Sequence, residues 1–422
     1  MANTFTRLGT ANTYDNAIRT LQARQNQLAD LQAKLTEGKR VTRASDDPTS
    51  AAQAERAQMR IARIAVEQRA LEVQKSAISL GESTLGDSTQ ILQQFRDLLV
   101  QAGNGANSPT ERETIAKQLV GLREELVSLA NRKDANGMPL FHGLGSTSAP
   151  FETSADGTPP DPDYSFNGLA GQLAGSQVAI PLTLDGRATW MDVPEGNGVF
   201  QVSLGAGNQG QAYTDIGVVK DASLMASAGT DFTLQFAVDA TTGATTYTVT
   251  NNQPPATTSP AQAYTPGQSV TMGGISVVVK GVPKNGDTLE VNPTVPADRP
   301  SVFGVLDRAI AGLYAPGSTT KGASSTDASF NHTLAISLAQ VDTSLERIGA
   351  VRGQAGDLLN RADRISDTQE ERSVQSESDR SRAEDMDMIK GLSDFKNQET
   401  GYQAALQTYA SIQKMSLFDF IR

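Results

Sequence analysis

The chain has 422 residues with 36 Lys and Arg against 47 Asp and Glu, so its formal net charge is -11. This acidic balance argues against a nucleic-acid-binding protein, because affinity for phosphate backbones comes mostly from an excess of Lys and Arg. Cysteine is absent and there are only two histidines, which leaves almost no material for a thiolate site, a zinc cluster or a Ser-His-Asp triad. The composition therefore favours a non-catalytic role, and the length allows about three domains.

Residues 1–10 contain no basic stretch followed by an apolar run of about 7 to 15 residues, the pattern of a cleaved secretory signal. The chain also contains no run of about 18 apolar residues that could span a membrane. We therefore expect no membrane insertion and, if the protein leaves the cell, a route that uses no cleaved signal.

Proline is distributed unevenly along the chain. Of the 18 prolines, 16 lie between Pro139 and Pro316. Proline in a helix interior removes a hydrogen bond and clashes with the preceding turn, so the proline-poor arms on either side can form long helices. We therefore predict two helical arms around an inserted domain of another type.

Two helices have well-defined starts. In Asp47-Pro48 the aspartate can cap a helix while proline occupies its first position. Ser108 and Glu111 flank Pro109 in the pattern of a capping box, in which each side chain accepts a hydrogen bond from the other residue's amide. The sequence therefore predicts helices that begin at Pro48 and Pro109.

Apolar residues recur along the arms with the three- and four-residue spacing of heptad repeats, which is typical of helices packed against partner helices. In the amino-terminal arm these residues are Tyr14, Ile18, Leu21, Leu28, Leu31 and Leu35, then Ile64, Leu71, Ile78, Leu85, Leu92 and Leu99, then Ile115, Leu119, Leu122, Leu126 and Leu129. In the carboxyl-terminal arm they are Leu338, Val341, Leu345, Ile348, Ala355, Leu359 and Ala362, then Met388, Phe395, Tyr402 and Tyr409. Between these two groups, residues 373–382 are polar without a stripe, so we expect the helix to be either solvated or interrupted there.

The two ends of the chain carry opposite charge. Residues 1–45 hold seven basic and three acidic residues, and residues 361–400 hold seven basic and eleven acidic residues. The outermost segments have narrow apolar stripes and bury too little apolar area alone to offset their ordering entropy. We expect them to fold against each other or against neighbouring subunits, although an ordinary bundle core would show the same heptads.

Residues 144–300 alternate short β-rich runs with clusters of Gly, Pro and Asn. The runs are 199–204, 232–238, 246–250 and 275–279. This pattern predicts an antiparallel sandwich or barrel. The single tryptophan, Trp190, lies in this region, and we expect it in a core rather than in a sugar-binding platform.

Two short motifs contain part of the residue pattern of a functional site but lack the neighbouring residues or elements that such a site requires. Gly205–Gly210 fits a dinucleotide-binding loop, yet no helical stripe follows it, so a plain turn is favoured. Asp161 and Asp163 begin like a calcium loop, but Phe166 replaces the glycine that this loop requires. The sequence therefore predicts no cofactor and no metal ion.

Other polar residues also favour structural roles. We interpret Asp385 and Asp387 as a solvated helix face rather than as a catalytic pair of carboxylates. We interpret His142 and His332 as polar residues at helix ends rather than as metal ligands. An enzyme is the least favoured class, because no general acid, base and nucleophile come together.

The terminal segments resemble the bacterial flagellin superfamily. Residues 31–48 resemble its amino-terminal signature through the sequences Gly-Lys-Arg-Val and Ala-Ser-Asp-Asp-Pro, and residues 111–143 resemble the segment that follows. The closing segments 351–361 and 402–421 resemble hook-associated members more closely than filament flagellins. The resemblance covers residues 1–145 and 300–422.

The resemblance implies an α+β fold, in which both terminal arms form a long helical coiled-coil bundle around an inserted, mainly antiparallel β domain. Residues 1–45 and 376–422 would be assembly arms that are disordered in the monomer and helical on assembly. Residues 46–143 and 301–375 would form a helical rod, and residues 144–300 a surface-exposed β domain.

The resemblance also implies a structural function in motility. Copies of the chain would form a homo-oligomeric ring at the hook–filament junction of the extracellular flagellum, between hook-associated protein 1 and flagellin. Such proteins leave the cell unfolded through the flagellar type III export channel, and a dedicated export chaperone would contact Phe395, Tyr402 and Tyr409. The subunit interface is expected at Ile18, Leu21, Leu28, Leu31, Leu35, Phe395, Tyr402, Leu406, Tyr409, Ile412, Leu417 and Phe418.

Two other functions stay open at this point. A minor flagellin would differ only in the place where it joins the filament. Alternatively, the β domain could be an adhesin or glycan-binding domain displayed on a helical rod, with Trp190 and Tyr213 as candidate contacts.

Overall fold

The computed structural model of the chain describes residues 10–105, 107–145, 149–153, 164–295, 299–314 and 328–420, and their side chains except at 10–14, 109 and 412–420. The chain forms two compact units. Unit 1 comprises residues 1–69 and 365–422, and unit 2 comprises residues 70–364. Each unit therefore contains segments of both arms, and unit 2 also contains the middle of the chain.

Long helices come from both arms. In the described residues the helices are α1 (Thr10–Glu37), α2 (Pro48–Ala102), α3 (Pro109–Ala130), α4 (Gly186–Trp190), α5 (Ala222–Ala228), α6 (Val302–Leu313), α7 (Ala328–Glu384) and α8 (Met388–Phe420). Both predicted starts, at Pro48 and Pro109, are confirmed. The capping box is also confirmed, since the Ser108 amide donates to Glu111 Oε2 over 2.7 Å and the Glu111 amide donates to Ser108 Oγ over 3.3 Å.

The helical core of unit 2 follows the predicted heptads. Five predicted heptad residues of α2 are at most 3% exposed: Leu71, Ile78, Leu85, Leu92 and Leu99. The buried residues at predicted positions elsewhere are Ile115, Leu119 and Leu126 on α3 and Val341, Ile348, Ala355 and Ala362 on α7. The other predicted positions on α3 and α7 are half-buried. In unit 2 the heptad stripes therefore form an ordinary bundle core, which is one of the two arrangements that the spacing allowed.

Ion pairs link α2 and α7 within unit 2. The pairs are Lys75 Nζ to Asp363 Oδ1 at 2.6 Å, Arg352 Nε to Glu82 Oε1 at 2.6 Å, and Arg96 Nε to Asp342 Oδ1 at 2.7 Å. Positions advance along α2 as they recede along α7, so the two helices are antiparallel. Exposed pairs contribute little stability individually, and their main effect is to favour one register of the two helices.

The middle of the chain is an antiparallel β domain. Its strands, with the hairpin before it, are β1 (Phe151–Thr153), β2 (Tyr164–Phe166), β3 (Phe200–Leu204), β4 (Tyr213–Thr214), β5 (Val218–Val219), β6 (Phe232–Val238), β7 (Thr245–Asn251), β8 (Thr257–Thr258), β9 (Gln262–Ala263), β10 (Gln268–Met272), β11 (Ile275–Lys280) and β12 (Thr288–Pro293). One sheet has the order β3-β12-β6-β7, with β8 and β9 on the free side of β7, and in the other β10 pairs with β11, which also pairs with β4 and β5. Side chains from both sheets share one buried core. Of the two predicted architectures, sandwich or barrel, the domain adopts the sandwich.

An aromatic cluster lies at the base of this domain, in unit 2. Trp190 of α4 is fully buried, and its ring stacks on Phe303 of α6 with centroids 5.6 Å apart. The other rings in contact with this pair are those of Phe141, Phe151 and Tyr164. The expectation that Trp190 is a core residue is confirmed, and a surface contact between Trp190 and a glycan is excluded.

Residues 373–382 were expected to form either a solvated helix or an interruption between helices, and the structure shows no interruption there. α7 continues through this segment to Glu384, and the break falls at residues 385–387. Small residues explain the continuity, because Ser376 and Ala383 on α7 and Ala54 and Ala57 on α2 are all buried. Small side chains allow two helices to approach closely, so this part of α7 packs without an apolar stripe.

Candidate assembly interface

The two terminal helices, α1 and α8, pack against each other in unit 1. A Cβ atom on Gly391 would lie 3.1 Å from Leu35 Cδ2, and a Cβ atom on Gly401 would lie 2.7 Å from Arg24 Nη1. The end of α1 therefore lies beside the start of α8, and the helices run antiparallel. The glycines allow this close approach. The two ends of the chain pair with each other, which is one of the two expected arrangements, but α1 and α8 each contain three basic and three acidic residues, so opposite charge does not explain their pairing.

The predicted interface residues whose side chains the structure describes lie on this seam, with one exception. The half-buried ones are Ile18, Leu21, Leu28, Leu31, Leu35, Phe395, Tyr402 and Tyr409. Leu406 is 42% exposed, because Ala405 takes the heptad position between Tyr402 and Tyr409. Three further predicted residues have side chains outside the described part of the chain: Ile412, Leu417 and Phe418.

The seam between α1 and α8 is incompletely filled. Small residues on both helices leave a groove with a volume of about 470 Å³, lined by Ala17, Thr20, Leu21, Arg24, Gly401, Ala404, Ala405, Thr408 and Tyr409. Among the described side chains of α1 and α8, no apolar one is fully buried, whereas the heptad leucines of α2 in unit 2 are. The arm pair therefore leaves apolar surface on both helices accessible.

A pair of loops joins these arms to the ends of α2 and α7, and we call residues 38–41 and 383–386 the clasp. The Arg40 amide donates to Glu384 O over 2.7 Å, and the Met386 amide donates to Gly38 O over 2.9 Å. The Lys39 ammonium group also forms an ion pair with the Glu384 carboxylate. Gly38 has a φ of 71°, the left-handed conformation with which helices commonly end. The clasp thus fixes where both arms turn.

The guanidinium group of Arg40 connects the clasp to the start of α2. Its Nη1 lies 3.1 Å from Asp47 Oδ2, and its Nη2 donates to Ser50 Oγ over 3.1 Å and to Ala383 O over 2.9 Å. Asp47 caps α2, as predicted, by accepting from the Ser50 amide over 3.1 Å. These bonds to Ser50, together with those to Thr49 and Arg40, lower the pKa of the Asp47 carboxyl group well below its usual value.

The role of Arg40 could not be predicted from local sequence patterns. Its partner Ala383 lies 343 residues away, and no local pattern indicates a contact at that distance. The available signal was the position of an arginine in a short loop between two helices, next to the Asp47 cap. That signal predicts a hydrogen bond within the loop but not the bond to α7.

The glycine motif at 205–210 is a turn, as predicted. Its amides are already occupied, because the Asp287 carboxylate accepts from the Gln209 amide over 2.8 Å and from the Gly210 amide over 3.0 Å. Asp287 is buried, and it also accepts from the Lys284 amide over 2.7 Å. The carboxylate therefore stands where a bound phosphate would have to stand.

Two interpretations of polar residues are corrected. Asp385 and Asp387 are exposed, as expected, but they lie in the break between helices rather than on a helix face, and Asp387 caps α8 by accepting from the Ile389 amide over 3.0 Å. His142 is buried in a β-bridge with Asp185 instead of lying at a helix end. His332 lies near the start of α7, as expected, although it is largely buried.

Asp161 and Asp163 lie outside the described residues. Within the described ones, no three His, Asp or Glu side chains come close enough to hold a metal ion together. Among the helices of the same residues, none combines the length and apolar character that a membrane crossing requires.

A comparison with protein families identifies the amino-terminal part of the chain. The family described as "Bacterial flagellin N-terminal helical region" matches residues 9–146, a range that includes α1, α2 and α3. The match therefore includes the amino-terminal half of the arm pair and the clasp loop at residues 38–41.

Flagellar hook-associated protein 3 of Salmonella typhimurium is a curated relative. It is 35% identical over 154 residues, which are 36% of this chain and 48% of that protein. The chain thus matches about half the length of its curated relatives.

Two solved structures from Legionella pneumophila cover more of the chain. The flagellar junction protein FlgL superposes with a TM-score of 0.64 at 27% identity, over 74% of this chain and 99% of that one. The structure of hook associated protein-3 superposes with a TM-score of 0.68 at 26% identity, over 77% of this chain and 97% of that one. The α+β architecture is therefore common to all three chains.

Proposed function

Because this chain belongs to the bacterial flagellin superfamily, we propose that it is a structural protein of the flagellum that joins the hook to the filament. Copies of the chain would form a ring that binds hook-associated protein 1 on one side and flagellin on the other. The names of the related proteins, hook-associated protein 3 and junction protein, support this assignment. The proposed role is mechanical and involves no catalysis.

The half-buried seam of α1 and α8 is the observation that carries the proposal. Seam residues such as Leu28 and Tyr402 keep part of their apolar surface accessible although their helices are paired. Full burial of an apolar side chain is worth about 1.5–3 kcal/mol relative to full exposure, so covering the accessible part of each seam residue contributes a fraction of that. Neighbouring copies would cover this surface when the chain assembles. We propose that the predicted arm residues, including Ile412, Leu417 and Phe418, pack between subunits.

The same seam suggests how export and assembly are ordered. A two-helix pair with an incompletely filled seam is marginal in water, so we propose that both arms are disordered in the monomer. A disordered arm can pass through the type III export channel to the outside of the cell, and a chaperone would cover Phe395, Tyr402 and Tyr409 before export. The arms then become ordered when they join the ring.

Hydrogen exchange in the purified chain tests this order of events. We expect fast exchange before residue 38 and after residue 387, and slow exchange on α2 and α7 in unit 2. If the arms of a lone chain were as protected as Leu85 and Leu92 of the rod, they would form a self-contained bundle. The proposal that they are assembly elements would then be wrong.

Replacement in a motile cell tests the assignment itself. We expect this chain to restore filament attachment and swimming when it is produced in a motile cell from which the junction protein has been removed. A minor flagellin would add to filaments but would not restore their attachment. As a matched pair, Tyr402→Ala should reduce attachment because it removes a seam side chain, whereas Gln403→Ala, at an exposed position, should not.

A further inference from the structure

The part of α2 in unit 1 has an apolar stripe on the side away from its core. Ala57 and Ile64 are buried, while Met59 is 60% exposed and Val66 is 57% exposed. Each exposed residue follows a buried one by two positions, which turns it by about 200° around the helix. Met59 and Val66 are seven residues apart, so they form a second heptad stripe without a partner in the described part of unit 1.

Basic side chains flank this second stripe. Arg56 and Arg63 are exposed, are seven residues apart and make no ion pair with any described residue. Arg56 also borders the groove toward Asp379 of α7, and the exposed Glu55 lies four positions before Met59. In helix pairs, charged residues at such flanking heptad positions select the partner helix and its orientation. We call Arg56, Met59, Arg63 and Val66 the basic face of α2.

The part of α7 in unit 1 has a face of the opposite kind. Val374 is 65% exposed and lies two positions before the buried Ser376, so it also points away from the core. Asp367, Glu370 and Glu371 are exposed and make no ion pair within the described chain. We call Asp367, Glu370, Glu371 and Val374 the acidic face of α7.

The two faces lie at the same height on opposite sides of one helix pair. Arg60 Nη2 lies 3.1 Å from Asp379 Oδ2, which aligns α2 with α7. Val66 lies six residues beyond Arg60 on α2, and Val374 lies five residues before Asp379 on α7. At 1.5 Å per residue these are shifts of about 9 Å and about 7.5 Å in the same direction, because the helices are antiparallel. The two valines are therefore at almost the same level.

We propose that the basic face of one copy binds the acidic face of a second copy, with Val66 of one against Val374 of the other. The two exposed arginines of the α2 face complement the three exposed carboxylates of the α7 face, and each face has an apolar centre at the same level. Because the contact joins two different faces, every dimer still has one free face of each kind, and further copies can add side by side. A ring closes when the rotation between neighbouring copies divides a full turn evenly. This inference rests on the proposed junction function and identifies the lateral contact of its ring.

Disulfide cross-linking tests the contact, because the chain has no cysteine of its own. The variant carries Val66→Cys and Val374→Cys and replaces the junction protein of a motile cell. Oxidation of its isolated flagella should give a ladder of covalent multimers. The matched control carries Val66→Cys and Gln375→Cys, where the second cysteine is turned by about 100° from the face and should give at least tenfold less product.

The outcomes separate the two proposals. If filaments are attached but the first variant gives no more product than the control, the contact is wrong and the junction function stands. If the variant is absent from the flagella, the junction function is in question. The contact is then decided by oxidising both purified variants at high concentration, where multimers beyond the dimer are expected only from Val66→Cys with Val374→Cys.

Charge reversal provides a second readout on the same cross-link. Arg56→Glu with Arg63→Glu should lower the yield of multimers about three- to tenfold, the range expected for exposed ion pairs. Adding Glu370→Lys and Glu371→Lys in the same chain should restore the yield. All four side chains are exposed, so the helices should stay folded, and failure of the second pair to restore the yield would overturn the contact.

Discussion

At the scale of single residues, Arg40 has a larger role than its exposed position suggests. Its guanidinium group reaches the Asp47 cap, the Ser50 hydroxyl group and a carbonyl group of α7. A planar guanidinium with donors in a fixed arrangement can make such bonds simultaneously, which a lysine ammonium cannot do in the same geometry. The residue therefore joins the turns of both arms.

Substitution of Arg40 should loosen the clasp and leave unit 2 unchanged. Arg40→Ala removes the hydrogen bonds to Ser50 and to Ala383 O, so we expect several-fold faster hydrogen exchange at residues 38–41 and 384–386. Arg43→Ala, in the same loop and equally exposed, should leave the exchange unchanged. Equal effects of the two substitutions would show that the clasp does not depend on the guanidinium group.

His332 should make the contact between α7 and the β domain sensitive to acid. Its Nε2 lies 3.0 Å from Val202 O, and burial lowers the pKa of the ring below its ordinary value of 6.5. The unfolded chain therefore binds the proton more readily. The contribution to stability is fully present above pH 6.5 and is lost as the pH falls through the lower folded-state pKa.

Thermal unfolding between about pH 7.5 and about pH 5 measures this effect, since only histidine has an ordinary pKa in that interval. The wild-type midpoint should fall with pH, and His332→Gln should remove most of that fall. The chain has one other histidine, so His142→Gln is the control. A pH dependence that disappears with His142→Gln instead would contradict the assignment.

At the scale of secondary-structure elements, α2 and α7 contribute buried heptad residues to the helical core of unit 2. Leu85 is fully buried on the predicted stripe of α2. Leu85→Ala should lower the free energy of unfolding by about 2–5 kcal/mol, because it removes buried apolar surface and leaves a cavity. Val73→Ala on the same helix, at a position that is 51% exposed, should change it by at most about 0.5 kcal/mol. Urea unfolding followed by circular dichroism compares the two variants.

The elements also mark where heptad analysis reaches its limit. The stripe predicted the buried positions of unit 2 because large apolar residues recur there at regular spacing. In unit 1 the positions with the same spacing hold Gln369, Ser376 and Ala383, which are buried all the same. Hydrophobicity alone cannot identify such a seam, so residues 373–382 could equally have been a solvated or an interrupted helix.

At the scale of the whole molecule, the β sandwich can be separated from the helices that it interrupts. Phe200 of β3 pairs directly with Pro293 of β12, so the two ends of the sandwich are adjacent. Trp190 and Phe303 of the aromatic cluster lie outside residues 200–293. The cluster therefore belongs to the helical part of unit 2 rather than to the sandwich. The domain boundary for engineering is therefore the first and last strand, not the composition change near residue 144.

A deletion at this boundary should preserve assembly. Replacing residues 200–293 by two glycines should leave export and filament attachment intact, because the arms and the aromatic cluster remain. Deleting residues 150–295 instead removes Phe151, Tyr164 and Trp190 from around Phe303, and we expect this variant to unfold at a lower temperature. Motility and thermal unfolding of the two deletions measure the difference. If filaments were no longer attached after the smaller deletion, the sandwich itself would have a role in assembly.

Much of the architecture was determined by the sequence itself. Local signals fixed the helix starts at Pro48 and Pro109, the buried stripe of α2 and the four longer runs of the sandwich, because caps, heptads and alternating strands depend on residues close in the chain.

The tertiary structure decided the features that depend on residues far apart in the chain. It placed Ala405 rather than Leu406 on the arm seam, positioned the helix break at residues 385–387 and connected Arg40 to Ala383. It also distinguished the fully buried stripe of unit 2 from the half-buried seam of the arms, although both have the same spacing. The physical reason is that periodicity specifies which residues share a helix face, whereas burial depends on how many other helices cover that face.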